Sequence, residues 1–125
     1  MVINVTKPER HEKAWGWEDW IINSSLFGYC GKILHFHQGG KFSLHFHNIK
    51  HESWYVISGS FNLITIDPDN AEKRITFIKK GDCIIIPQCH PHQLEALEES
   101  EIFECSTIHY ETDSYRIEKG DSQKL

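Results

Sequence analysis

The sequence has no apolar run approaching the roughly 20 residues that a membrane helix needs. Its opening, MVINVTKPERHEKAW, also lacks the apolar core of a signal peptide. A cytoplasmic protein with no membrane association is therefore expected. There is no basic excess either: 13 Lys and Arg against 18 Asp and Glu leave a formal charge of −5. The positive residues are scattered, so the basic footprint needed for phosphate backbones is missing and nucleic acid is not an expected partner. No CxxC pair occurs among Cys30, Cys83, Cys89 and Cys105. Without a secretory signal these read as reduced thiols, not a disulfide framework. Cys30, Cys83 and Cys105 fall inside apolar strand-like runs and are expected to be buried structural thiols. Helical period is absent from every long segment, and there is no low-complexity tract or repeat of about 20–50 residues.

What is present fits one domain. The chain has 125 residues, 39% hydrophobic and 25% charged, enough for a single core and too few for two. Residues 1–12 are polar and read as an N-terminal arm, 13–118 as the folded unit, and 119–125 as a tail expected to fray. Trp15, Trp17 and Trp20 read as packing residues of a core or a dimer interface. Strand-like segments then recur at 29–37, 41–47, 53–58, 60–67, 73–79, 83–87, 92–97 and 101–109. Their joints, Gln38-Gly39-Gly40, Ser58-Gly59-Ser60, Asp67-Pro68-Asp69-Asn70 and Lys80-Gly81-Asp82, are turn chemistry. Short strands at such spacing predict an all-β sandwich or barrel.

The chemistry concentrates between Gly39 and Gly59, in GGKFSLHFHNIKHESWYVISG. Strand alternation places Lys41, Ser43, His45 and His47 on one face and Phe42, Leu44 and Phe46 on the other. Two imidazoles on one face, with Glu52 following after a turn, can converge on a cation. The best fourth ligand is His92, just after the apolar run closed by Pro87 and the tight Gln88–Pro91 turn. Three imidazoles and a carboxylate suit a divalent transition metal (Zn, Mn, Fe, Ni or Co), and softness alone does not choose among them. A rival pair, His35 and His37, has the same spacing but no matching carboxylate, since the fifth residue after His37 is Phe42. That pair is set aside, and His11, His90 and His109 carry no spacing argument.

Gly39, His45, His47, Glu52 and Gly59 match every defined position of the first cupin motif, G-x5-H-x-H-x4-E-x6-G. Gly81, Pro87 and His92 match the second, G-x5-P-x-G-x2-H-x3-N, with Cys89 and Ala96 standing where glycine and asparagine are usual. The chain thus resembles the cupin superfamily. This implies a double-stranded β-helix, a jelly-roll-like barrel, with a metal held by His45, His47, Glu52 and His92.

More finely, Ala14-Trp15-Gly16-Trp17, Lys41-Phe42-Ser43-Leu44, Lys50-His51-Glu52-Ser53-Trp54, Val56-Ile57-Ser58-Gly59 and Tyr115-Arg116-Ile117-Glu118 are similar to segments of the cupin domain of type II mannose-6-phosphate isomerases. The chain departs from them in carrying His45 where glutamine is usual and Lys for Arg at Lys41 and Lys50. The resemblance implies a metal-dependent aldose–ketose isomerase for a small anionic sugar phosphate. Lys41, Lys50 and Arg116 would hold the anion, and Glu52, Glu104 or Tyr110 would carry the proton. An Fe(II)-dependent dioxygenase and a non-catalytic sugar or metabolite binder are the alternatives. Small cupins pair through outer sheets, so a homodimer is expected, using the Trp-rich N-terminal segment and strand 60–67.

Overall fold

Eleven strands and two single-turn 3-10 helices make up residues 2–124, which the computed structural model describes. The strands are β1 (Glu9–Lys13), β2 (Gly16–Ser24), β3 (Tyr29–Phe36), β4 (Leu44–Phe46), β5 (Glu52–Ser58), β6 (Ser60–Ile66), β7 (Lys73–Lys79), β8 (Cys83–Ile86), β9 (His92–Ala96), β10 (Ser100–Thr107) and β11 (Tyr115–Glu118). The 3-10 turns are Glu111–Asp113 and Asp121–Gln123. Met1 and Leu125, the ends of the expected arm and tail, lie outside the described residues.

All pairing is antiparallel, and it separates the strands into a six-stranded sheet, β1-β2-β3-β10-β5-β8, and a five-stranded sheet, β11-β4-β9-β6-β7. The expected barrel does not form. One sheet is bounded by β1 and β8 and the other by β11 and β7, and neither closes on itself, so the architecture is two open sheets enclosing one core. The alternation of apolar residues reports which face of a strand is buried. It carries no information on whether two edge strands complete a ladder, which is the difference between a sandwich and a barrel.

The core draws on both sheets. Leu34, Phe36, Trp54, Val56 and Ile102 face Phe61, Leu63, Leu94 and Ala96, with Trp15 stacked on Phe36 at 4.4 Å between ring centroids. Alternation works as the strand period demands: on β5, Glu52, Trp54 and Val56 point inward while Tyr55 is exposed. The same alternation corrects the cysteines. Cys30 is buried, but Cys83 and Cys105 occupy outward positions of β8 and β10 and, like Cys89, are exposed; all four are free thiols.

Three strands fall where none was expected: β2, which takes in Trp17 and Trp20, and the two edge strands β1 and β11. β1 and β11 carry mostly polar, exposed residues, and they form by pairing with neighbours, with Arg10 opposite Asp19 and joined to it by two hydrogen bonds of 2.8 and 3.1 Å. The segment read as a fraying tail is tied down in its described part. Asp121 N–H donates to Lys41 O at 2.8 Å, Lys41 N–H donates to Asp121 Oδ2 at 2.9 Å, and Ser122 Oγ accepts from Ala14 N–H at 3.1 Å.

Candidate metal centre

β4 and β9 are neighbours, and their register sets His45 directly opposite His92, with His47 two residues further on. Each ring is oriented by the backbone. Nδ1–H of His45 donates to Ser43 O at 2.7 Å, that of His47 to Asp113 O at 2.6 Å, and that of His92 to His90 O at 2.8 Å. A carbonyl only accepts, so the proton lies on Nδ1 in all three and each Nε2 keeps its lone pair. The three ligating atoms lie within 4.8 Å of one another. Burial pushes the pKa of His92 down to about 4, and burial followed by repulsion from the other two imidazoles holds His45 well below the ordinary value. His47 is lowered too, again mainly by burial. Neutral imidazoles with inward lone pairs are the form that binds metal.

Glu52 enters from the opposite sheet. Its Oε2 is 3.5 Å from His47 Nε2 and its Oε1 is 3.9 Å from His92 Nε2. Both Glu52 Oε2 and His92 Nε2 are buried without a hydrogen-bond partner. A buried acceptor left without a hydrogen bond is costly, and a cation between the two would satisfy His92 Nε2 and share Glu52 with Lys50. The donor set therefore fits a divalent transition metal, bound by the buried histidine cluster with Glu52 at its border.

Behind Glu52 lies a buried charge network. Lys50 Nζ is 2.9 Å from Glu104 Oε2 and 3.4 Å from Glu52 Oε2. Burial disfavours the lysine's charge, but Glu104 and then Glu52 outweigh it and raise its pKa. For Glu104 burial is outweighed by Lys50 and then Lys32, which bring its carboxyl down to about 2. Burial pushes Glu52 up against the pull of Lys50. His109, whose Nδ1 accepts from Lys50 at 3.4 Å, is lowered to about 4 by burial and by Lys32 and Lys50.

Asp113 organises the loop that joins His47 to Glu52. Its carboxylate accepts from the backbone N–H groups of Asn48, Ile49 and Lys50 at 2.9, 3.1 and 3.0 Å, while its carbonyl orients His47. Cys89, standing where glycine is usual, keeps the left-handed backbone of that turn with φ +61°, and its N–H donates to His47 O at 2.7 Å. The turn before His92 therefore survives the substitution.

The three histidines, Glu52, Lys50, Glu104 and His109 line a cavity of about 360 Å³. Of the residues expected from sequence, His45, His47, Glu52, His92, Lys50, Glu104 and Arg116 line it, and Lys41 and Tyr110 do not. Lys41 lies outside the three-residue β4, so alternation from His45 does not extend to it, and its Nζ sits 3.9 Å from Glu95. Tyr110 is exposed. Lys50, expected to hold the anion, is buried beside the centre. Phe42 also departs from the alternation and lies against the rings of His45 and His92 at 5.2 and 6.2 Å. Arg116 has a register reason, since β11 pairs it opposite His45.

Residues missed from sequence are Lys32, Glu18 and Lys13, delivered by the pairing of β1, β2 and β3, and His109 and Asp113, delivered by the segment between β10 and β11; none follows from local spacing. The rival pair also gains what it lacked: Glu99, from the turn before β10, contacts both His35 and His37.

A family model described as Cupin matches residues 25–118. No protein of curated function matches the sequence significantly. Among solved structures, an oxalate decarboxylase from Bacillus subtilis is similar, with a TM-score of 0.76 and 20% identity over 88% of this chain and 30% of that one. The capsular polysaccharide assembling protein CapF from Staphylococcus aureus is similar as well, with a TM-score of 0.75 and 17% identity over 91% of this chain and 33% of that one. The chain thus spans about a third of the length of these proteins.

Proposed function

The chain belongs to the cupin family, and from that premise we propose that it is a metal-dependent enzyme for a small anionic sugar, most simply an aldose–ketose isomerase of sugar phosphates like the type II mannose-6-phosphate isomerases. The observation that carries this reading is the placing of a buried, charged Lys50 3.4 Å from Glu52, itself beside the three convergent imidazoles. His45, His47, His92 and Glu52 would hold the metal, which when bound supplies Lewis-acid polarisation of a carbonyl.

The chain's own groups supply the rest. Lys50 presents a fixed positive charge to the oxygen that becomes negative when the proton leaves the neighbouring carbon. Glu104, held ionised, keeps Lys50 charged and in place, and a carboxylate of pKa about 2 is too weak a base to do more. Glu52, within 3.5 Å of His47 Nε2 and so beside the reacting centre, is the remaining candidate for the proton carrier. Trp54 Nε1–H, buried in the cavity wall without a partner, is a donor available to a substrate hydroxyl. Arg116 and Lys13 line the same cavity and suit the phosphate.

The test is deuterium incorporation at C2 of aldose 6-phosphates by the metal-loaded protein, followed by NMR. Lys50→Met is expected to lower exchange by at least ~100-fold while keeping metal, the loss typical of one electrostatic donor. Glu52→Gln, assayed for both metal content and exchange, separates ligand from proton carrier. Metal-loaded protein that exchanges no proton with any sugar phosphate would sink the proposal.

A second reading is favoured by the number of cations, Lys13, Lys32, Lys50 and Arg116, on so small a cavity. They would equally receive a small carboxylic acid, as a decarboxylase or an Fe(II)-dependent oxygenase requires. Release of CO2, or oxygen uptake with Fe(II), would favour it. We also propose a homodimer. Its surface is not strand 60–67, which lies between β9 and β7 and is largely buried; the exposed apolar residues Ile75 and Phe77 on the edge strand β7 suit it better.

A further inference from the structure

We propose that the outer face of the six-stranded sheet carries a second transition-metal site, built from His35, His37 and Glu99 and separate from the cavity. Leu34 and Phe36 point into the core, so His35, alternating with them, projects from the opposite face, and His37, just past the strand end, lies beside it at 5.8 Å between ring centroids. The β3–β10 register sets Glu101 against His35 and Ser100 against Phe36, which brings the preceding Glu99 over both imidazoles. Glu99 Oε2 lies 2.7 Å from His35 Nε2, and its Oε1 lies 3.3 Å from His37 Nδ1. One nitrogen from each histidine and one carboxylate oxygen fall within 4.8 Å of one another.

His35 is held as a ligand is held. Trp17 stacks on its ring at 4.0 Å with an interplanar angle of 3°, fixing the plane. Its Nδ1 faces Glu101 Oε2 at 3.3 Å, so a carboxylate stands behind the imidazole. Both ring nitrogens therefore face carboxylates. A neutral imidazole has one N–H, so one of the two contacts sets a lone pair against an anionic oxygen unless a second proton or a metal cation lies there. With Nδ1–H given to Glu101, Nε2 is left to bind metal together with Glu99 and His37.

Two imidazole nitrogens and one carboxylate, with the other positions open to water, suit Zn²⁺, Ni²⁺, Co²⁺ or Cu²⁺ and not the all-oxygen preferences of Ca²⁺ or Mg²⁺. The side chains of His37 and Glu99 are 54% and 60% exposed. The outer site should thus exchange its ion faster and bind it more weakly than the buried three-histidine centre.

The experiment is equilibrium dialysis of metal-stripped, untagged full-length chain against Zn²⁺. Two ions per chain are expected, the second at least ~10-fold weaker, which is about 1.4 kcal/mol. His37→Ala and Glu99→Gln should each abolish the weaker ion and leave the tighter one; both side chains are exposed, so folding is not at stake. His47→Ala should do the reverse. Ni²⁺ should still quench tryptophan fluorescence in His47→Ala, through Trp17, and cease to do so when Trp17→Phe is added. One ion per chain in the wild type, or two that survive both His37→Ala and Glu99→Gln, overturns the proposal and leaves these residues as an ion-pair network only.

Discussion

His92 is 1% exposed, its Nδ1 is committed to a backbone carbonyl, and its Nε2 has no partner but the centre. His92→Ala should therefore empty the buried site, beyond the roughly 10–100-fold loss of affinity typical of removing an outer partner; elemental analysis after dialysis checks this. The outer partner to compare is Asp113. Asp113→Ala frees three backbone N–H groups and the loop between His47 and Glu52. It should weaken metal binding about 10–100-fold and cost about 2–3 kcal/mol in denaturant unfolding. Acid should act in two windows on the metal-stripped chain. The folded pKa of His92 lies near 4 against an ordinary 6.5, so the folded state binds fewer protons in between and stability is lost as pH falls through that range, by roughly 3 kcal/mol. Glu104, depressed from 4.5 to about 2, adds a loss as pH falls through that lower range. A melting temperature that stays flat from pH 7 to about 4.5 would contradict the first window. At this scale the sequence was legible wherever geometry was local. His45, His47 and Glu52 follow from strand period and a short loop, whereas Asp113 and His109 reach the site across about 60 residues of chain, and nothing in their neighbourhood announces it.

The turn between β5 and β6 has little freedom. Gly59 has φ +79°, and a Cβ there would stand 1.9 Å from Ser100 Oγ, whose hydroxyl is bound to the Ser60 backbone. Gly59→Ala combines a left-handed backbone with overpacking and should cost roughly 2–4 kcal/mol in urea unfolding. The strands with apolar alternation, β3 and β5 through β10, were readable to within two residues. β1 and β11 were not, because polar edge strands take their conformation from the neighbour they pair with and not from a buried face of their own. The short β4 misled in another way. Its three residues do not reach Lys41 or Phe42, so extending one strand's period across them put Lys41 on the wrong side and Phe42 away from the rings it touches.

For the whole molecule, the all-β class and the single core were legible, and closure into a barrel was not, since closure is a property of edges that no residue pattern encodes. Light scattering at micromolar concentration should give twice the 14.6 kDa chain mass, and Phe77→Lys on β7 should return it to the monomer. A monomer in the wild type would remove the dimer proposal. The division of the buried centre between the two sheets has a mechanical outcome. The imidazoles ride on β4, β9 and the loop that follows β4, while the carboxylate rides on β5, so an ion bound among them would rivet together two layers that pack on each other through the shared apolar core. Stripped of it, the layers should slide and part more often. Amide deuterium uptake should then quicken in step on β5 and β9 while the outlying β1 and β7 keep their rates.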